Sequence, residues 1–261
     1  MIATLPSNGM MGIDYVDISI PKIADIRAMG NMPQSDELRK SLFVERLIGD
    51  KVWQITKYDR DYIFAIAGIL CALNKMVAVV ECECGSQFKV CYTLDDIKTN
   101  DLPKGIERCT KRNIEEREFT FNTLTAKDEY DIELFALTYG GNYQEVVDDL
   151  RVGAVLGVKP SADCLQFVAD LDMAMYGLAV DYYFSKPHGA YIRKECECPN
   201  CKKKVNATLK ISSDLININP FTMVGNFANG LYKYIDFGSY MDLTFQEYDT
   251  MVNEINKRNN Q

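Results

Sequence analysis

Cys198-Pro199-Asn200-Cys201 has the form of a metal knuckle, since two intervening residues let both thiolates point at one ion while the backbone turns beneath them. It supplies half of a tetrahedral site. The other half has to come from elsewhere in the chain, and the stretch most alike in kind is Cys82-Glu83-Cys84, with Cys91 beyond it. Cys82 with Cys84, or Cys84 with Cys91, would complete four sulfur ligands. The first of these pairs is spaced by one residue where ligand pairs favour two. The candidate metal ligands are Cys82, Cys84, Cys198 and Cys201, and the expected chemistry is a structural zinc whose binding free energy ties two distant stretches into one unit. Cysteines that hold no metal are the plainer alternative.

The Cys198 and Cys201 thiols would also suit a redox dithiol. That chemistry asks for a pair opening a helix after a strand, where the helix dipole depresses the thiol pKa. Here residues 202–209 alternate as a strand does, and Lys202-Lys203-Lys204 reads as a solvated turn. His188 is the chain's one histidine, in a Lys-Pro-His-Gly turn, and is expected on the solvated surface. Neither a triad nor a histidine-rich metal centre of the usual kind can be built from it. Walker loops, Gly-x-Gly-x-x-Gly fingerprints and Gly-x-Ser-x-Gly elbows are missing from the sequence; Met223-Val224-Gly225-Asn226 and Ala228-Asn229-Gly230 read as turns. Paired acids such as Asp95-Asp96 and Asp148-Asp149 read as solvated faces or helix caps. No catalytic residues are assigned, and the chain is expected not to be an enzyme.

Composition narrows the classes further. The chain has 261 residues, 47% of them hydrophobic and 25% charged, which is the balance of an ordinary folded protein. Its net charge of −8 repels phosphate, so nucleic acid is not expected as a partner. The apolar stretches 62–73 and 171–184 are too short, or too interrupted by Asp172 and Asp181, for a membrane span. Nine cysteines, an odd number, behind a start without a secretory leader imply reduced thiols or metal ligands in the cytoplasm.

The elements that must position these cysteines follow from periodicity and caps. Residues 15–20 alternate as a half-buried strand ending at Pro21, and a Gly-, Asn- and Pro-rich loop covers 30–35. Ser35 is a plausible cap for a helix with Leu38, Leu42, Phe43, Leu47 and Ile48 on one face and Gly49 as its stop. Thr56 with Asp59, Thr125 with Asp128, and Thr244 with Glu247 each read as a capping box. The first opens a helix apolar nearly all round, which should be buried. Residues 113–121 end strand-like, 124–138 and 143–155 read as helices divided by Gly140-Gly141, and 162–184 reads as one helix closed by Pro187. A last amphipathic helix covers 244–258, frayed by Asn259-Asn260-Gln261.

An echo links the two cysteine segments. Glu81-Cys82-Glu83-Cys84 and Glu195-Cys196-Glu197-Cys198 each follow a long apolar helix and precede an alternating strand, as an internal duplication would produce. The expected fold is α+β, with helices and short antiparallel strands or hairpins, built as two related cysteine-turn subdomains packed together, residues 1–112 and 113–261.

The order of these parts resembles the baseplate hub assembly proteins and tail assembly chaperones of T-even-type contractile-tailed phages. The carriers are Leu5-Pro6-Ser7-Asn8-Gly9, the helix start Ile55-Thr56-x-x-Asp59, and the cysteine turn leading to Leu94-Asp95-Asp96-Ile97. The resemblance covers about the first hundred residues well and the remainder more loosely. It implies a non-enzymatic late protein that helps assemble the baseplate hub, with hub and tail proteins as partners, in the host cytoplasm or the virion baseplate. Pro220-Phe221-Thr222-Met223 with Phe227, Leu231, Tyr232 and Tyr234 is the candidate contact surface, with completion of the core as the competing role. A zinc-ribbon adaptor unrelated to phage is the alternative, and a thiol oxidoreductase using Cys198 and Cys201 the second alternative.

Overall fold

Threonine followed three residues later by an acid starts helices at all three expected places. In the computed structural model, helix α3 (Lys57–Cys71) opens on Thr56, which accepts the Asp59 N–H while the Asp59 carboxylate accepts the Thr56 N–H. Helix α4 (Ala126–Tyr139) opens on the same reciprocal pair between Thr125 and Asp128. Helix α9 (Phe245–Asn259) does so with Thr244 and Glu247, at 2.8 and 3.3 Å. Ser35 precedes α2 (Asp36–Ile48), but its hydroxyl makes no cap bond and donates to Glu133 on α4 instead. Gly49 ends α2 at φ 66°, in the left-handed region that a glycine enters without strain.

The structure describes residues 1–30, 32, 35–114, 117–216, 227–228 and 231–259. Outside them fall Asn31, Pro33 and Gln34 of the expected loop, the Met223–Asn226 turn, Asn229-Gly230, the Pro220–Met223 part of the contact surface, and Asn260-Gln261 of the frayed end.

Two expected elements differ in extent. The helix expected over 162–184 is two helices, α6 (Ala162–Ala169) and α7 (Met173–Phe184). Asp172 causes the break: its carboxylate accepts the Met175 N–H at 2.7 Å as an N-cap, a role short acidic side chains favour over a helix interior. The strand expected over 15–20 pairs only as β2 (Tyr15–Asp17), antiparallel to β1 (Ile2–Thr4). Val16 and Ile18 are buried but Ile20 is exposed, so the alternation ends there. The remaining helices are α1 (Ile23–Met29), α5 (Tyr143–Val155) and α8 (Phe237–Asp242). The strand expected near 121 is half of a hairpin, β6 (Cys109–Ile114) with β7 (Arg117–Asn122).

The architecture is α+β with small antiparallel sheets. Strands β3 (Met76–Glu81) and β4 (Gln87–Tyr92) form one hairpin; β5 (Ile97–Asn100), β8 (Gly189–Glu197) and β9 (Lys204–Leu209) form a sheet in the order β5-β8-β9. The expected helix, cysteine turn and strand therefore recurs with one strand more, as α3-β3-turn-β4 and α7-β8-turn-β9. As expected, α3 is buried nearly all round. Ile63, Phe64 and Ala67 face a first core with α1 and α2, while Ala65 and Ile69 face another made by Met76, Val90 and Tyr92 of the first hairpin and Ile192 and Ala207 of the second. A further core lies among α4, α5, α6 and α7. The C-terminal segment returns to the first core through Tyr240 and Ile255. Among the described residues no helix is long and apolar enough to cross a membrane.

Charges are buried where α2, α3, α4 and α5 meet. Arg60 is 0% exposed; it pairs with Glu37 at 2.5 Å and Asp61 at 2.6 Å and donates to Ser41 at 2.8 Å. Lys40, also buried, bridges Asp36, Glu37 and Asp61. Across the junction Arg151 and Lys57 flank Glu129. Burial alone would raise the Glu37 carboxyl, but the Arg60 and Lys40 cations hold it far below the usual range. Asp36 is likewise lowered despite burial, by the Ser213 N–H and Lys40. Glu133 goes the other way, raised by burial and by Glu37.

The signs set an acid response. Asp36 and Glu37 titrate lower folded than unfolded, so their stabilisation is full above about pH 4.5 and drains away as pH falls through the carboxylate range. Glu133 has the opposite sign, and its penalty is relieved by protonation on acidification. Urea midpoints are expected to hold or rise slightly from pH 7 to about pH 4.5, as Glu133 takes up its proton, and to fall from about pH 4.5 to about pH 2 as the lowered pair loses its contribution. Glu37→Gln is expected to cost about 3 kcal/mol at pH 7 and to flatten that slope, whereas an unchanged slope would refute the assignment.

Candidate metal centre

Each cysteine turn closes the tip of a hairpin. Cys82 follows the last residue of β3 and Cys198 the last residue of β8. The Cys82 N–H donates to the Ser86 carbonyl at 2.9 Å, and the Gly85 N–H returns to the Cys82 carbonyl at 2.8 Å. In the second turn the Cys198 N–H donates to Lys203 at 2.9 Å, and the Lys202 N–H returns to Cys198 at 3.0 Å. A left-handed residue follows the second cysteine in both, Gly85 at φ 78° and Lys202 at φ 61°. The second turn is one residue longer, which is why its cysteines are separated by two residues and those of the first by one.

The tips face each other and bring four sulfurs together. Cys82 Sγ lies 3.6 Å from Cys201 Sγ, and Cys84 Sγ lies 3.8 Å from Cys198 Sγ. All four sulfurs fall within 4.8 Å of one another. A tetrahedral zinc with bonds of about 2.3 Å holds its sulfurs about 3.8 Å apart, so this arrangement has the size of a ZnS₄ centre. The first cysteine of each turn contacts the second of the other, the exchange a two-fold related pair of knuckles would make. The four cysteines can therefore hold a metal ion, and this is the only such group among the described residues.

The surroundings favour anionic sulfur on one side of the cluster. N–H groups of Cys201 and Asn200 aimed at Cys198 pull its thiol down to about 6, with help from the neighbouring thiols of Cys201 and Cys82. The Ser86 N–H likewise lowers Cys84. At Cys82 the Cys84 N–H favours the thiolate, but loss of water and the three crowded thiols outweigh it and push the group up to about 12. A divalent cation would replace the protons these sulfurs otherwise share. Cys82 and Cys198 are buried, Cys201 is half-buried and Cys84 is exposed. With every tetrahedral position supplied by protein, none is left for water or substrate, which is the form of a structural site. Lys202, Lys203 and Lys204 surround the tips as exposed cations, as expected, paired with Glu197, Glu83 and Glu195.

The other cysteines lie apart. Cys91, the alternative ligand, sits opposite Val77 in the ladder and is exposed on the outer face of β4. Cys71 and Cys164 are buried in the apolar cores and pushed up by burial, Cys164 to about 11. Cys198 and Cys201 sit on a hairpin turn with no helix N-terminus behind them, so the support a redox dithiol takes from a helix dipole is missing. Among the paired acids, Asp96 caps a turn by accepting the Thr93 N–H at 2.8 Å, and Asp148 pairs with Arg151.

His188 corrects an expectation. It is not solvated but 7% exposed, its Nε2 lying 2.9 Å from Thr56 Oγ1 and its Nδ1 2.7 Å from the Lys186 carbonyl. Tyr58 packs edge-on against the ring. Gly189 allows this approach: a Cβ there would sit 3.1 Å from Tyr58, at a φ of 118° that side chains rarely adopt. The same capping box receives the opening turn, because the Ser7 N–H donates to Asp59 Oδ1 at 2.9 Å and Asp59 is fully buried. Thr56 and Asp59 thus join the N-terminal turn, α3 and the start of β8. The Pro-His-Gly run was the only sequence signal for the His188 contact.

No family model matches this chain, and neither a curated protein nor a solved structure matches it.

Proposed function

We propose that the protein works by contact and not by catalysis, as an assembly factor or minor component of a phage baseplate hub, with Cys82, Cys84, Cys198 and Cys201 holding a structural zinc that clamps its two hairpins. The observation that carries the zinc is the four-sulfur cluster, which draws ligands from two turns more than a hundred residues apart in sequence. The hub role rests on the resemblance, whose motifs are spatial neighbours. Ser7 of the opening motif bonds Asp59 of the helix-start motif, and Asn8 Nδ2 donates to the Leu102 carbonyl just past Leu94-Asp95-Asp96-Ile97. Such a protein would act in the host cytoplasm, or in the virion baseplate if it is retained in the particle.

The contact surface is narrower than the candidate set. Phe227 and Leu231 pack into the first core, whereas Tyr232 and Tyr234 are more than half exposed and are the described residues free to meet a partner. Purification of the tagged chain from infected cells is expected to recover baseplate hub proteins in stoichiometric amount. A clean monomer without any tail protein would end the hub assignment. A zinc-ribbon adaptor in a cell is the second reading, favoured by the facing hairpin knuckles themselves; it predicts the same metal with cellular partners.

A further inference from the structure

We infer that the free edge of β3 is a dimerisation edge at which a second copy of this chain adds its own β3, antiparallel, about a two-fold axis at Ala78. This goes beyond the hub and zinc assignments and does not depend on either.

The backbone parity of the first hairpin locates the edge. Cys82 is hydrogen-bonded to Ser86, so the ladder pairs of the same parity, Val80 with Phe88, Ala78 with Val90 and Met76 with Tyr92, are the bonded ones. Val77 and Val79 therefore turn their N–H and C=O groups away from β4. Cys91, opposite Val77, shows the same parity on the other edge, where the Lys194 ammonium donates to its outward carbonyl at 2.7 Å. The β4 edge is thus blocked by a side chain. Among the described residues no hydrogen bond reaches Val77 or Val79 from outside the hairpin.

The second half shows what belongs at that edge. Strand β8 stands before its cysteine turn as β3 does before its own, and the side of β8 away from β9 is filled by β5, antiparallel. Among the described residues no strand pairs with the corresponding side of β3. The outer faces also differ: Arg193, Glu195, Asn206 and Thr208 on the second hairpin are polar, whereas Val77 and Val79 are exposed at 57% and 62%. Native edge strands are ordinarily protected by charge, proline or cover, and an exposed β-branched pair on an open edge is the exception.

The sequence of β3 is complementary to itself. With Ala78 opposite Ala78 of the second copy, Val77 lies opposite Val79, and their outward backbone groups fall into bonded pairs. In the same register Lys75 faces Glu81 of the second copy, so both ends close on opposite charges. The four valines would form one strip on the shared outer face.

The test is sedimentation equilibrium of the full chain. Native protein is expected to dimerise reversibly, and Val79→Lys to be monomeric. Lys75→Glu and Glu81→Lys alone set like charges opposite each other twice per dimer and are expected to weaken it on the order of tenfold. The double variant Lys75→Glu/Glu81→Lys restores opposite charges and is expected to recover most of the affinity. All these positions are exposed, so melting and far-UV circular dichroism serve as folding controls. A native chain that stays monomeric to its solubility limit would overturn the inference, as would a dimer indifferent to Val79→Lys or a charge swap that fails to rescue.

Discussion

Chelating the metal from the zinc-loaded chain, or replacing Cys198 with Ser, is expected to release about one zinc per chain and to lower the melting temperature by roughly 10 °C. The magnitude follows from what the ion joins. Strands β3-β4 and β5-β8-β9 belong to separate sheets, so no ladder links the two hairpins. Their shared core is small, with Met76, Val90, Tyr92, Ile192 and Ala207 meeting under Ala65 and Ile69. A metal at about a thousand times its dissociation constant adds about 4 kcal/mol to the folded state. In a chain of this size each kcal/mol shifts melting by about 2–4 °C. Cys82→Ser should match Cys198→Ser, since both remove buried ligands, while Cys91→Ser should leave metal and melting unchanged. Acid should release the ion as well, because protons compete for the thiolates. Metal analysis finding no zinc, together with equal melting of the Cys198 and Cys91 variants, would reject the clamp.

How much of this was legible in the sequence depended on distance along the chain. Thr56 with Asp59 and Thr125 with Asp128 could be read because a capping box closes within four residues. The Cys198-Cys201 half-site was equally local. Its completion was not, because the ligands of the other turn lie 114 and 119 residues away. The echo between the two segments, not spacing, pointed to Cys82 and Cys84. Choosing Cys82 over Cys91 needed the hairpin, whose ladder carries Cys91 to the outer face. Asp172 was invisible as a break because the apolar steps run on from Val168 to Met175 across it; only the cap bond reveals the new helix. The burial of His188 against Thr56, 132 residues away, could not be read from the turn it occupies.

Arg60→Ala is expected to destabilise the protein by about 3–5 kcal/mol, the cost of stripping one partner from a buried ion network. Its guanidinium is inaccessible to water, and every donor direction is used: Nη2 to Glu37 and Asp61, Nε to Asp61, Nη1 to the Ser41 hydroxyl and the Glu37 carbonyl. Removing it leaves Glu37 facing Asp61 with only Lys40 between them, and leaves a space between α2 and α3. Arg60→Lys is expected to recover part of the loss and not all of it, because one ammonium cannot reproduce a planar fork that serves two helices. Arg60→Met combined with Glu37→Leu should cost less than Arg60→Ala alone, since it removes the charges together. Urea unfolding of the four proteins gives the comparison, and a cost under about 1 kcal/mol for Arg60→Ala would contradict the burial. Zinc content should not move in any of them. Arg60 faces α2, whereas Ala65 and Ile69, a turn or more along α3, lie under the hairpins, so the helix joins two separable sources of stability.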